Sequence, residues 1–181
     1  FNVNRFLKRA KKSGYYDNTI FLFFGDHNTS MSHVNKFKKL YDYKLNLHNV
    51  PFFIHAPKYI KPSKIKKYTN LIDIIPTAAS LANIEYTNYT LGSNALDKNS
   101  NANFAFLYQK IKGEPAVTLL KDSLQYSKTI HSNYSHLYNM NADKEKVDIK
   151  KNYPNLYKKM DSLTNAIYYS TKYLYYNNKK N

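Results

Sequence analysis

Asp26 and His27 stand side by side in Gly25-Asp26-His27-Asn28, directly after an unbroken apolar run at residues 19–24. A carboxylate and an imidazole in adjacent positions of one loop can both turn toward a single divalent cation. Hard oxygen with borderline nitrogen suits Mn, Zn or Mg better than a soft metal. The chain has no cysteine, so disulfides and thiolate metal sites are excluded and every metal ligand must be nitrogen or oxygen. The dipeptide alone also reads as Asp26 capping a turn beside a surface His27, and its spacing leaves both readings open. His33 lies in the same loop and is a candidate contact for an anionic substrate or a solvated loop residue. His48 and His55 read as packing or surface residues. The lysines of residues 36–44 either draw in a phosphate or sulfate group or form a solvated face.

These side chains need a frame, and the hydrophobic pattern supplies one. Val3, Phe6, Leu7 and Ala10 follow the spacing of one helix face, with lysines opposite and Gly14 as the stop. The run Thr-Ile-Phe-Leu-Phe-Phe24 has strand length and suits a strand buried on both faces, as in a parallel sheet. It places Asp26 at the carboxyl end of that strand, where open α/β sheets build their sites. Residues 27–49 read as a loop with room for a short helix, and Val50-Pro-Phe-Phe-Ile-His55 as a second strand with its proline near the start. Residues 71–82 read as a helix with Pro76 in its first turn and Asn83 at its end, and Asp73 and Thr77 as structural helix-start residues. Residues 92–103 are small and polar, and read as a linker or a subdomain edge. Beyond them, short β-prone runs at 104–108, 116–120, 124–129 and 136–140 predict an antiparallel meander. Asn152 and Pro154 then introduce a C-terminal helix, followed by a frayed lysine-rich tail. The expected division is 1–91 for an α/β portion and 92–181 for a small β subdomain with the helix.

Tyr16-Asp-Asn-Thr-Ile-Phe-Leu-Phe-Phe-Gly-Asp-His27 resembles the "xDNTxxxxxxDH" signature of the sulfatase and phosphoglycerol transferase family, in the alkaline phosphatase superfamily. Val50-Pro-Phe-Phe-Ile-His-Ala-Pro57 is similar to that family's "VPxxIxxP" strand. Ile72-Asp-Ile-Ile-Pro-Thr77 is similar to its "xDxxPT" helix start, and Leu137-Tyr-Asn-Met-Asn-Ala-Asp-Lys-Glu145 to its "LYDLxxDPxE" turn. Four matches in order cover most of the chain. The resemblance implies the C-terminal portion of an α/β alkaline phosphatase-like sandwich, with a small antiparallel sheet and a C-terminal helix. It makes Asp26 and His27 ligands of a divalent metal (Mn, Mg, Zn or Ca). It also implies a sulfate ester or phosphate-linked headgroup as substrate, with a phosphoglycerol or phosphoethanolamine transferase favoured over a true sulfatase. Asn28 departs from the glycine usual after Asp-His, while keeping some of glycine's tolerance for a left-handed backbone. The nucleophile, a Thr, Ser or modified Cys in this superfamily, is expected upstream of Phe1, so the resemblance assigns no catalytic residue to this chain, which alone is expected to be inactive.

The 181 residues are 43% hydrophobic and 16% aromatic, enough to bury a core and too apolar for a disordered tail. The chain opens on Phe1 without a leader, so a fragment of a longer protein is expected, its partner being the missing N-terminal part. No apolar run reaches the roughly 18 residues of a membrane span, so attachment to the extracytoplasmic face of the cell membrane would come through upstream segments. A formal charge of +16 raises nucleic acid as a partner. Only Arg5 and Arg9 are arginines, and dispersed lysine lacks the guanidinium forks that read bases or clamp phosphates, which argues against that partner. Two other classes remain: a basic module for anionic lipid or polymer surfaces, and a degenerate family remnant without catalysis.

Overall fold

The computed structural model describes residues 2–29, 35–99, 103–142 and 146–178. The first helix, α1 (Asn2–Lys12), ends in the basic turn Arg9, Lys11 and Lys12, which complements the negative end of the helix dipole. Gly14 takes φ +82° beyond it. Ala10 is fully buried, and Phe6 meets Phe21 and Phe23 edge-on at ring separations of 5.7 and 6.1 Å. The apolar stripe of α1 thus packs on the strand that leads into the Asp-His loop.

That strand, β1 (Phe21–Phe24), pairs with β2 (Phe52–His55) in a two-stranded sheet. The pairing is antiparallel, with Phe21 opposite His55 and Phe24 opposite Phe52. This corrects the parallel, doubly buried strand expected from the unbroken apolar run. Residues 25–51 join the two strands and include a short helix, α2 (Lys38–Asp42); a connection of that length permits either direction, and an apolar run reports burial, not direction. Phe21 is buried, but Phe24 is 49% exposed. Phe23 stacks on Phe53 across the strands at 4.8 Å, a pair of the kind that stabilises two-stranded ladders.

A turn of 3-10 helix (Leu71–Asp73) runs into α3 (Ile74–Ala82). Asn70 and Asp73 form a capping box, with the Asn70 N–H donating to Asp73 Oδ2 at 2.7 Å. Asn83 closes the helix in the left-handed conformation, φ 53°, as C-terminal caps commonly do. Asp73 and Thr77 are both buried and bind backbone. Asp73 Oδ1 accepts the Ser93 N–H at 2.7 Å, and Thr77 Oγ1 accepts the Ala95 N–H at 2.9 Å while donating to the Asp73 carbonyl at 2.6 Å. The small polar stretch after Gly92 is therefore stitched onto α3. Gly92 lies so close to the start of that helix that a Cβ would fall 2.0 Å from the Ile72 carbonyl oxygen. Gly92→Ala must push backbone against backbone, and a loss of about 1–3 kcal/mol is expected on the scale of overpacking mutations, read from a urea melt.

The second sheet is a meander, β3 (Phe104–Ile111), β4 (Glu114–Lys121), β5 (Leu124–Thr129) and β6 (Ser135–Asn139), antiparallel throughout. Lys112 and Gly113 form the first hairpin turn with φ 52° and 83°, the doubly left-handed geometry that matches strand twist. α4 (Pro154–Asn177) starts with Pro154 in its first turn and lies on one face of this sheet. Leu119, Tyr126, Leu137, Met160 and Ile167 make the core between them. The Tyr126 hydroxyl donates to Asp161 Oδ1 at 2.6 Å, and Lys128 Nζ reaches the same oxygen at 2.9 Å. Burial opposes ionisation of Asp161, but the bonds from Tyr126, Lys128 and Asn165 outweigh it and hold its carboxyl below the usual range. The Tyr126 hydroxyl is pushed up, first by burial and then by Asp161, and so stays a donor.

Candidate metal centre

The Asp-His loop leaves β1 at its carboxyl end and is anchored from both sides. The Gly25 N–H extends the ladder by donating to the Pro51 carbonyl at 3.0 Å, and the Asn28 N–H donates to the Leu47 carbonyl at 2.9 Å. A Cβ on Gly25 would come within 3.0 Å of Val50 Cβ, so the small residue lets the two chains approach. Between these anchors Asp26 and His27 project into solvent, their side chains 84% and 78% exposed.

Within the loop the two side chains turn toward each other. Asp26 Oδ1 accepts the His27 N–H at 2.8 Å, leaving Oδ2 at 3.8 Å from His27 Nε2. His27 Nδ1 lies 3.1 Å from the Asn28 carbonyl oxygen. A carbonyl only accepts, so this contact selects the tautomer with the proton on Nδ1 and leaves a lone pair on Nε2. A backbone carbonyl behind the second ring nitrogen is the usual support of a metal-binding histidine. The carboxyl of Asp26 is held below the usual range, first by the His27 backbone N–H and then by its own N–H. An ionised carboxylate oxygen and a free imidazole nitrogen therefore face one space, a donor set that fits a divalent cation. No group of three or more His, Cys, Asp or Glu that could hold a metal occurs among the described residues, so the two donors stand as a pair there.

The other candidates separate from this pair. His55 lies opposite Phe21, at the far end of β1 from the loop. Its Nε2 meets the Tyr16 hydroxyl at 2.6 Å, and its ring packs against Tyr16 and Phe21, so it is a packing residue. His48 follows Leu47, whose carbonyl holds Asn28, and burial lowers its pKa and favours the neutral ring. What the sequence gave no sign of is that residues 45–49 fold back to the Asp-His loop, where the Leu47 carbonyl accepts the Asn28 N–H. His33 lies outside the described residues. In the lysine-rich segment, Lys38 pairs with Asp42 at 2.7 Å and Lys39 Nζ reaches the Met140 carbonyl at 3.4 Å. Asn28 does not use the left-handed tolerance expected of it. The non-glycine residues with positive φ among those described are Lys44, Asn83, Lys112 and Asp122. The Asn28 side chain instead accepts the Thr29 N–H at 2.8 Å, which stabilises the turn without a left-handed residue.

Comparison with known proteins places this geometry. Residues 1–84 match the Sulfatase family model, and the chain is similar in fold to solved sulfatase structures. More narrowly, it is similar to lipoteichoic acid synthases. It is 33% identical over 106 residues to lipoteichoic acid synthase 2 of Bacillus subtilis, covering 54% of this chain. With lipoteichoic acid synthase of Staphylococcus aureus it shares 31% over 108 residues, covering 55%. The chain spans 16% of the length of these relatives. Among solved structures, a 2-O GAG sulfatase superposes with a TM-score of 0.69 at 19% identity, over 94% of this chain and 40% of that one. A phosphonate monoester hydrolase from Silicibacter pomeroyi gives 0.64 at 15% identity, over 91% and 37%. The fold likeness runs past residue 84, through the second sheet and α4.

Proposed function

We propose that this chain is part of a metal-dependent enzyme that transfers or hydrolyses phosphate-linked headgroups or sulfate esters, with Asp26 and His27 as two of its metal ligands. The carrying observation is the Asp26 and His27 pair at the carboxyl end of β1, with His27 oriented by the Asn28 carbonyl and its Nε2 3.8 Å from Asp26 Oδ2. A bound divalent ion, Mn, Mg, Zn or Ca, would lower the pKa of the attacking hydroxyl and neutralise charge on the transferring group. In this reading Asp26 brings the negative charge that holds the cation, and His27 a directional neutral ligand. The two anchored ends of the loop, at Gly25 and Asn28, fix both donors relative to β1.

A phosphoglycerol-type transferase is favoured over a sulfatase, because the two curated relatives described above, each more than 30% identical, are lipoteichoic acid synthases. The remaining ligands and the nucleophile belong to residues outside this chain. No helix among the described residues is long and apolar enough to cross a membrane, and attachment to the extracytoplasmic face of the cell membrane is proposed through segments elsewhere in the protein. The boundary near residues 91 and 92 is proposed as the join between the α/β portion and the β subdomain.

The test is metal-dependent turnover by the full-length protein on a phosphoglycerol-bearing lipid and on an aryl sulfate. Chelation should abolish turnover of the lipid, and one of the four divalent ions should restore it. Turnover that persists in excess chelator would refute the reading, and restored turnover confined to the aryl sulfate would reverse the preference between the two reactions.

A further inference from the structure

The meander has a second face, where buried polar side chains stand among apolar ones such as Ala116, Leu120 and Ile111. Side chains alternate along a strand, so while Leu119, Tyr126 and Leu137 face α4, their neighbours Thr118, Gln125, Ser127 and His136 face the other way. All four are buried, with Gln125 1% exposed and His136 6%. Gln109 Nε2 donates to Thr118 Oγ1, and Thr118 and Ser127 bond at 2.7 Å. The segment after α2 covers part of this face. Gln125 Nε2 donates to the Tyr43 carbonyl at 3.0 Å, the Tyr43 hydroxyl to the Asn139 carbonyl at 3.3 Å, and Lys146 Nζ to the Asp42 carbonyl at 2.9 Å.

What is left between them is a cavity of about 170 Å³, comparable to the roughly 150 Å³ space that accommodates benzene in an engineered protein core. That engineered space is apolar, and this one is not. Gln109 Oε1, Gln125 Oε1 and both ring nitrogens of His136 are buried without a hydrogen-bond partner, although buried polar atoms are nearly always paired. Lys44, Lys112 and Lys146 also line the cavity, and no Asp or Glu does so among the described residues. Lys146 Nζ sits 4.4 Å from the Tyr138 ring centre and Lys112 Nζ 4.0 Å from that of Tyr134, so each ammonium is held by an aromatic face beside the opening.

The His136 ring is neutral at ordinary pH. Burial is the largest cause and brings its pKa down to about 4, with Lys146, Lys150 and Lys44 acting in the same direction and Asp148 opposing them. A neutral ring offers one donor and one acceptor. The cavity therefore presents three cations at its rim and, inside, two amide oxygens and an imidazole in need of hydrogen-bond partners. A ligand that satisfies all of them carries an acid group and at least one hydroxyl.

We propose that this cavity binds a small hydroxylated anion, its acid group received by Lys44, Lys112 and Lys146 and its hydroxyls by Gln125 Oε1 and His136. The acid group is a phosphate monoester or a carboxylate, and the cavity size limits the hydroxylated part to a few carbon atoms. This site uses neither Asp26 nor His27 and stands independently of the metal centre proposed above.

The test is calorimetric titration of the full-length protein in an Asp26→Ala background, so that an anion drawn to a metal at that position does not contribute. The probes are glycerol 3-phosphate, glycerate, inorganic phosphate and glycerol, and the His136 ring nitrogens are followed by NMR. The proposal expects saturable binding of glycerol 3-phosphate or glycerate with a shift of the His136 signals; whichever binds tighter identifies the acid group. Both single-element probes, phosphate and glycerol, should bind at least tenfold more weakly. Lys146→Met keeps the aliphatic stem, and Lys112→Asn tolerates the left-handed backbone at that turn; each should weaken binding of the preferred anion about tenfold or more. Absence of binding by both hydroxylated anions overturns the proposal. So does affinity unchanged in both lysine variants, binding without any His136 shift, or phosphate binding as tightly as the hydroxylated anions.

Discussion

Replacing His27 or Asp26 by alanine in the full-length protein is expected to reduce turnover by more than the roughly 10–100-fold typical of losing a hydrogen-bonding partner behind a metal ligand. In the proposed site each substitution removes a donor to the ion itself, so divalent-ion affinity should fall with turnover. Stability should hardly change, because both side chains are more than three-quarters exposed and exposed positions away from caps and cores usually move stability by less than about 0.5 kcal/mol. The informative result is this split between activity and folding. Steady-state rates and a urea melt on the same preparations measure it. Full activity in the His27→Ala variant would remove His27 from the site, and a large fall in stability would mean that the pair holds the loop instead of a cation.

The opposite split is expected at Leu137. This side chain on β6 is fully buried against Leu119, Tyr126, Met160 and Ile167. The strand at that point is held on its outer edge by Asp148 Oδ1, which accepts the Leu137 N–H at 3.0 Å, and by the Ile149 N–H, which donates to the Leu137 carbonyl at 2.8 Å. With backbone fixed on that edge and α4 pressed on the other side, the site has little freedom to collapse around a smaller residue. Leu137→Ala should therefore cost about 2–5 kcal/mol, the range for buried leucine truncation. It should appear as a lower urea midpoint at unchanged slope, with the residual folded protein retaining its metal affinity. A shift below about 0.5 kcal/mol would mean that the sheet and α4 do not share the core described above.

The parts of this fold that were legible in the sequence are those where local pattern and tertiary packing agree. The short β-prone runs between turn residues in 104–140 predicted the four-strand meander, and Pro154 marked the start of α4. The strand ends were less legible. Gln109, Lys110 and Glu114 are polar and Pro115 disfavours a strand, yet residues 109–111 and 114–115 extend the first hairpin to its two-residue turn, with Lys110 opposite Pro115. Proline is tolerated there because it sits near the strand start, where β4 needs no N–H toward β5 and only its carbonyl is used, by Ile130. The pairing direction of β1 was misread because an unbroken apolar run reports burial and strand length, not the direction of its neighbour.

The candidate site shows the same division. Asp26 and His27 were singled out through the resemblance of residues 16–27 to a family signature, and the structure places the two side by side in the loop after β1. The return of residues 45–49 to Asn28 was not, since it rests on one backbone hydrogen bond. Least legible were the buried polar side chains on the second face of the meander. Gln109, Gln125 and His136 read as surface residues by type, and only the register of the strands, with Gln125 opposite Leu120 and Tyr138, reveals that they converge under Tyr43.

The proposal that Asp26 and His27 ligate one divalent ion is tested most directly by a crystal structure of the full-length protein grown with Mn, the ion located by its anomalous scattering. One Mn ion should lie within about 2.3 Å of both an Asp26 carboxylate oxygen and His27 Nε2, with His27 Nδ1 still donating to the Asn28 carbonyl. An ion bound elsewhere, with Asp26 and His27 left in solvent, would contradict it.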